Sequence, residues 1–258
     1  MNCKICSSKK INIIGEIYDY EYNLQEKAKY LKCLKCKTIF RNKVFINKKK
    51  LYPKNYIPTG SNFFFNFLKN IYSIYEYKKI INKLDVDHSR ILEIGCGNGY
   101  LLKRIAENSN SKCLGIDFGI RSKNFKNLKF SRQKIEKINK IGNFKPDIII
   151  LNNIIEHLKD FNLIKNLFKK LKKKAKIVII TPDGESSARN IFKLFWSGYH
   201  SPRHSFIFSK KSFYKISQIC NLEIKTFMKI FDPFSNIISI KNILIAFFKM
   251  KNQKIKIS

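Results

Sequence analysis

The 258-residue sequence predicts an α/β protein with a doubly wound, mostly parallel sheet, on three observations. An apolar run at Ile91, Leu92 and Ile94 breaks into Gly95-x-Gly97-x-Gly99, and apolar residues resume at helical spacing with Leu101, Leu102 and Ile105. Short apolar segments at 113–117, 128–130, 148–151 and 175–182 then recur, the last two separated by an amphipathic helical pattern. The first 36 residues stand apart, with four of the chain's seven cysteines in two C-x-x-C pairs.

Composition bounds the rest. A hydrophobic fraction of 44% is that of a globular chain and excludes general disorder. The longest apolar stretch, 236–248, is interrupted by Lys241, so no transmembrane helix is expected. The N-terminus has no apolar core of a signal peptide, and a cytoplasmic location is the expectation. The net charge of +34 favours polyanions such as RNA, anionic lipid or phosphorylated sugars. It comes from 45 Lys against 7 Arg in a chain also rich in Ile and Asn, a pattern that an AT-rich genome produces without selection for an anion-binding face. Arginine, the better fork for phosphate, is scarce.

From the N-terminus, Cys3, Cys6, Cys33 and Cys36 form pairs separated by 26 residues. Each pair presents two thiolates on a tight knuckle, and four thiolates complete a tetrahedral structural zinc site with no open position. Disulfides are the alternative, disfavoured in a reducing compartment. Ile13, Ile14, Ile17 and Tyr18 read as ribbon strands, giving a zinc-ribbon-like domain over 1–47. A linker and an amphipathic helix over 48–84 follow, with Ser61 as its cap and Phe64, Phe67, Leu68, Ile71, Tyr75, Ile80 and Leu84 on its apolar face. Such a basic, aromatic helix packs on a sheet edge or lies weakly on a membrane surface. The main domain is expected over 85–258.

Within that domain, the strand, glycine turn and helix over 89–105 place backbone N–H groups where they face a ligand. Glu93 interrupts the apolar strand. Asp117 ends the next one, 22 residues beyond Gly95, where an acid accepts hydrogen bonds from a ribose. These residues, E-x-G-C-G-x-G followed by G-x-D, resemble the first two motifs of class I S-adenosylmethionine-dependent methyltransferases. The resemblance implies a Rossmann-like, mostly parallel seven-stranded sheet. It also implies a cofactor site built on Glu93, Gly95, Cys96, Gly97, Gly99, Asp117 and Phe118.

After a shortened, basic 118–127, the third strand at 128–130 lacks the acid that family members carry next. Gln133 and Ile135 stand there as adenine contacts. The apolar run 148–151 suits a central parallel strand. It leads to Asn152-Asn153-Ile-Ile-Glu156-His157, similar to the family's fourth motif, with Asn152 and Asn153 as contacts for the methionine portion. His157 reads either as a general base or as a helix-start histidine bonded to backbone. A basic-faced helix over 161–174 and a strand over 175–182 follow.

The segment from Thr181-Pro-Asp through Trp196 to Pro202-Arg203-His204 and Phe208-Ser209 resembles one sub-branch of the same family. His200 and His204 are further candidate bases, and Arg203 offers a fork for an anionic acceptor or pairs a buried carboxylate. Trp196 is a lid or a core residue. Residues 231–258 are expected to supply the last strands. The leading functional expectation is methyl transfer to a small molecule: a sugar, a lipid-linked acceptor or a surface-polysaccharide metabolite. The alternatives are an RNA methyltransferase, favoured by the ribbon and the charge, and a binding protein that keeps the fold without catalysis.

Overall fold

The computed structural model describes residues 1–22, 27–43, 51, 63–119, 122–133, 144–171 and 175–255. Ser61, Ile135 and nearly all of the expected linker lie outside them. The strands are β1 (Ile11–Tyr18), β2 (Lys27–Cys33), β3 (Ile39–Arg41), β4 (Arg90–Ile94), β5 (Lys112–Asp117), β6 (Leu128–Arg132), β7 (Ile148–Asn152), β8 (Lys176–Ile180) and β9 (Phe206–Ile207). The helices are α1 (Phe63–Ile81), α2 (Tyr100–Asn108), α3 (Phe161–Leu171), α4 (Ser187–Phe192), α5 (Lys210–Cys220) and α6 (Pro233–Ile255). They form two compact units, neither continuous in sequence: Met1–Tyr56 with Ile155–Lys169 and Thr181–Ser258, and Ile57–Ile154 with Lys170–Ile180. The sequence division into 1–47, 48–84 and 85–258 stays an expectation beside these two units.

The second of these units holds a parallel sheet in the order β6-β5-β4-β7-β8. The chain starts at the centre with β4, winds outward through β5 and β6, and then crosses to β7 and β8. A doubly wound sheet binds ligands at that reversal, beyond the carboxyl ends of the strands. Its strands are the apolar runs read from the sequence, and Ile148, Ile149, Ile150 and Leu151 are all buried, so both faces of β7 are covered. Leu101, Leu102, Ile105 and Ala106 give α2 a buried stripe at helical spacing, which packs in the same core with Tyr77, Ile80 and Ile81 of α1. The α1 helix belongs to this unit.

The other unit is built on an antiparallel sheet, β1-β2-β3-β9. Its fourth strand, Phe206–Ile207, pairs with Ile39 and Phe40, so the ribbon is completed by residues from far along the chain. Trp196, 4% exposed, and Tyr199 lie in its core with Ile17, Tyr30 and Ile207; Trp196 is therefore a core residue. Ser209 caps α5 in a capping box with Ser212.

The sequence expectation fails at 231–258, where the last strands were placed: the segment is the helix α6, and the parallel sheet has five strands among the described residues, not seven. The cause lies in its polar residues. Ser239 Oγ accepts from Ser197 N–H at 2.9 Å, Asn242 Nδ2 donates to the Phe195 carbonyl at 2.9 Å, and Ser197 Oγ donates to the Ser235 carbonyl at 2.8 Å. Positions 235, 239 and 242 share one helical face, so the helix docks by its polar stripe and leaves Ile240, Leu244, Phe247 and Phe248 exposed.

Candidate active site

The glycine turn follows β4 directly. Gly95, Gly97 and Gly99 all have positive φ, at 73°, 54° and 69°. A Cβ on Gly95 would fall 1.9 Å from Ile154 Cδ1, and one on Gly99 would fall 2.5 Å from the Phe130 ring. Two of the glycines thus make room for the chain's own side chains, where the sequence reading gave them to a ligand. Gly97 is different: its N–H donates to Asp117 Oδ2 at 3.1 Å, while Gly119 N–H donates to Oδ1 at 2.7 Å. The carboxylate at the tip of β5 is thereby fixed across the turn.

Glu93 is 3% exposed, and its Oε2 has no hydrogen-bond partner. Burial, with the Glu76 and Asp117 carboxylates nearby, raises its carboxyl well above the usual range. Glu76, buried on α1, also takes a 3.4 Å bond from Asn152 Nδ2, and Asn153 Nδ2 donates to Asn152 Oδ1 at 2.9 Å. The sequence reading missed Glu76, although it is the sole acid in the apolar, aromatic α1. Gln133 sits beside Asp117, donating its N–H to the Asp117 carbonyl at 3.1 Å. Phe118 is 63% exposed, and Cys96 is buried with its thiol pushed up by desolvation. Apart from Ile135, the expected cofactor residues gather at the carboxyl ends of β4–β7. The buried, unpartnered Glu93 oxygen and the anchored Asp117 carboxylate suit the ammonium and the ribose of S-adenosylmethionine.

In the ribbon-containing unit, three of the chain's four histidines converge. Ring centroids are 4.5 Å apart for His157 and His204, 5.1 Å for His200 and His204, and 5.8 Å for His157 and His200. His200 Nδ1 lies 2.6 Å from Glu21 Oε2. Burial tends to raise the Glu21 carboxyl, but the hydrogen bond and charge of His200 outweigh it and leave it lowered. His204 Nδ1 lies 2.9 Å from the Gly198 carbonyl, which fixes a proton on that nitrogen and leaves the Nε2 lone pair. Burial, with the neighbouring cationic groups, drops His157 to about 3 and holds His204 well below its ordinary value.

Arg203 does not offer its fork to a ligand. It is 1% exposed, donates from Nη2 to Asp19 Oδ2 at 2.7 Å and from Nη1 to the Ser201 carbonyl at 2.9 Å, and stacks 4.6 Å over the Tyr22 ring. The anionic-acceptor reading of Arg203 gives way to the buried-carboxylate one. Asp19 and Glu21 were not read as site residues; their signal is two acids alternating with tyrosines in a chain with 18 acids.

The four ribbon cysteines also converge, with every Sγ within 4.8 Å of the others. Cys3 and Cys36 sulfurs are 3.5 Å apart, and those of Cys6 and Cys33 are 3.6 Å apart. Four thiolates about 2.3 Å from a zinc ion make a tetrahedron of roughly 3.8 Å edge. The knuckles match each other: Ser7 and Lys37, each just after the second cysteine, have φ of 58° and 62°, and their N–H groups donate to the Cys3 and Cys33 carbonyls at 3.0 Å. All four thiols are free of disulfides. The donor set is compatible with zinc.

The sequence profile of a methyltransferase domain family matches residues 69–226, and the chain belongs to that family. It is an S-adenosylmethionine-dependent methyltransferase of class I. Among solved structures, a SAM-dependent methyltransferase from Archaeoglobus fulgidus is similar at 20% identity, covering 72% of this chain and 92% of that one, with a TM-score of 0.47. Magnesium protoporphyrin IX methyltransferase from Synechocystis PCC 6803, solved with SAH, is similar at 14% identity, 71% and 87% coverage and a TM-score of 0.46. A cyclopropane-fatty-acyl-phospholipid synthase-like protein from Lactobacillus casei ATCC 334 shows 15% identity, 59% and 68% coverage and a TM-score of 0.46. No curated protein matches the sequence. No helix among the described residues is long and apolar enough to cross a membrane.

Proposed function

We propose that this chain methylates a small hydroxyl- or amine-bearing molecule, of the sugar, lipid-linked or surface-polysaccharide class. The observation that carries the reading is the Asp117 carboxylate, held by Gly97 and Gly119 N–H groups at the tip of β5, beside the buried Glu93. S-adenosylmethionine supplies, when bound, a methyl on a sulfonium that leaves as a neutral thioether. Asp117 accepts the ribose hydroxyls, its orientation set by the two backbone bonds. Glu93 and Glu76 form the anionic spot for the ammonium, which relieves the repulsion between their carboxylates. Gln133 supplies an adenine contact, and Asn152 and Asn153 polar contacts for the methionine portion.

The acceptor's proton goes to a histidine. His200 is the best built for it, because Glu21 at 2.6 Å holds its Nδ1–H and leaves Nε2 to take the proton. His157, neutral at pH 7, is the second candidate. The four cysteines hold a structural zinc ion that ties the ribbon knuckles together.

Isothermal titration of the full chain with S-adenosylhomocysteine tests the cofactor reading. Asp117→Ala is expected to weaken binding at least tenfold, the scale of one lost charge-assisted hydrogen bond. Unchanged affinity in that variant, or no binding to the wild type, overturns it. Transfer of labelled methyl to fractionated cell extract then identifies the acceptor class. The net charge favours RNA as a second acceptor; that reading demands RNA affinity that falls steeply with salt.

A further inference from the structure

We propose that Glu156, His157 and His204 form a second metal site, for a borderline divalent cation such as Zn²⁺, Fe²⁺ or Co²⁺, distinct from the four cysteines. One ligand atom from each lies within 4.8 Å of the other two. Glu156 and His157 are neighbours on the 3₁₀ turn Ile155–His157, and Ser205 N–H donates to the Glu156 carbonyl at 2.8 Å, which ties the turn to the segment carrying His204.

Three features point to a cation. The first is the Glu156 side chain: 0% exposed, with neither carboxyl oxygen in a well-formed hydrogen bond and only its own backbone N–H and the Thr181 hydroxyl close enough to offset part of its burial. A carboxyl group buried without partners is costly, and a metal ion is one of the few groups that removes the cost. The second is the tautomer of His204. Its Nδ1–H on the Gly198 carbonyl at 2.9 Å is the arrangement that orients metal-bound imidazoles, and it leaves Nε2 to coordinate. The third is the donor set, two imidazoles and one carboxylate, which suits these cations better than Mg²⁺ or Ca²⁺. Ligand atoms about 2.1 Å from a common ion are roughly 3.4 Å apart. The present span of up to 4.8 Å therefore contracts when an ion binds. Three protein ligands leave positions for water or for an oxygen of a bound molecule.

Cobalt(II) chloride is the probe, titrated into the full chain after chelator treatment. Two equivalents are expected. One carries the near-ultraviolet thiolate-to-cobalt absorption of the cysteine site. The other lacks it and is weakened at least tenfold by Glu156→Gln and by His157→Gln, as loss of a ligand requires. Because both sites lie in one compact unit, retention of the thiolate band shows that each variant remains folded. Uptake of the thiolate-bound equivalent alone by the wild type overturns the proposal. So does a second equivalent that survives both substitutions. Neither readout involves S-adenosylmethionine, so failure here leaves the cofactor reading standing.

Discussion

Asp19→Asn isolates the charge of the buried Asp19–Arg203 pair. The side chains are 0% exposed and meet at 2.7 Å. Asp19 Oδ1 also accepts from Glu21 and Tyr22 N–H at 3.1 and 3.0 Å, which an asparagine Oδ1 still does, so the turn after β1 keeps its local bonds. What is lost is the counter-charge of a guanidinium without access to water. Removing one partner of such a pair costs about 3–5 kcal/mol. For a chain of this size, at about 2–4 °C per kcal/mol, the melting transition falls by roughly 6–20 °C. Burial outweighs Arg203 in setting the Asp19 carboxyl, which is raised above its ordinary value, so the pair does not recover its own desolvation cost. Replacing both partners, as Asp19→Leu with Arg203→Met, is therefore expected to be less harmful than Asp19→Asn. Calorimetry and urea unfolding of wild type, Asp19→Leu, Arg203→Met and the double variant close the cycle, with Asp19→Asn measured beside them. A loss below about 1 kcal/mol for Asp19→Asn, or strict additivity in the double variant, refutes the reasoning.

Gly99→Ala is expected to cost about 2–4 kcal/mol, from a left-handed residue gaining a Cβ that meets the Phe130 ring at 2.5 Å; Phe130→Leu in the same chain recovers part of it in thermal melts. The exposed Arg90–Asp147 pair holds the Asp147 carboxyl down at about 2, through the Arg90 side chain and N–H. A depressed carboxyl stabilises above its unfolded value and loses that contribution as pH falls from about 4 to 2. Asp147→Asn is thus less stable than wild type by up to ~1 kcal/mol at pH 7, and the difference shrinks at pH 2, as urea midpoints at the two values report. Cys36→Ser removes one of four clustered sulfurs and is expected to lose one equivalent of zinc by elemental analysis, together with the cooperative melting of the β1-β2-β3-β9 unit.

The parallel sheet was legible because buried strands are uniformly apolar and end in chemically distinct residues: Ile91–Ile94 in glycine, 113–117 in Asp117, 148–151 in Asn152. Such signals are local. The pairing of Phe206–Ile207 with β3 spans the chain, and two residues carry no periodicity to announce it. In α6 the Ile-rich 231–258 reads as strand by composition, while the determining feature is the spacing of Ser235, Ser239 and Asn242, which matters only once Phe195 and Ser197 are in place to receive them. The same limit governs Arg203. The motif that singles it out is visible in sequence, but whether its fork meets a ligand or Asp19 depends on a turn 184 residues earlier.

The buried acids say more about the sites than the exposed lysines do. Asp19, Glu76, Glu93 and Glu156 are buried, in a chain that has 18 acids against 52 Lys and Arg. Carboxylates are rarely sunk unless something pairs them. Asp19 has Arg203 within the fold, whereas Glu93 and Glu156 each keep an oxygen with no hydrogen bond. These two incompletely satisfied acids are the places that the readings proposed above give to an outside cation: an ammonium at Glu93, a divalent ion at Glu156. On this argument selectivity resides at the buried carboxylates and not in the surface charge. Exchanging surface lysines for glutamine then leaves cofactor affinity within about twofold, whereas Glu93→Gln, nearly isosteric, lowers it at least tenfold in the same titration.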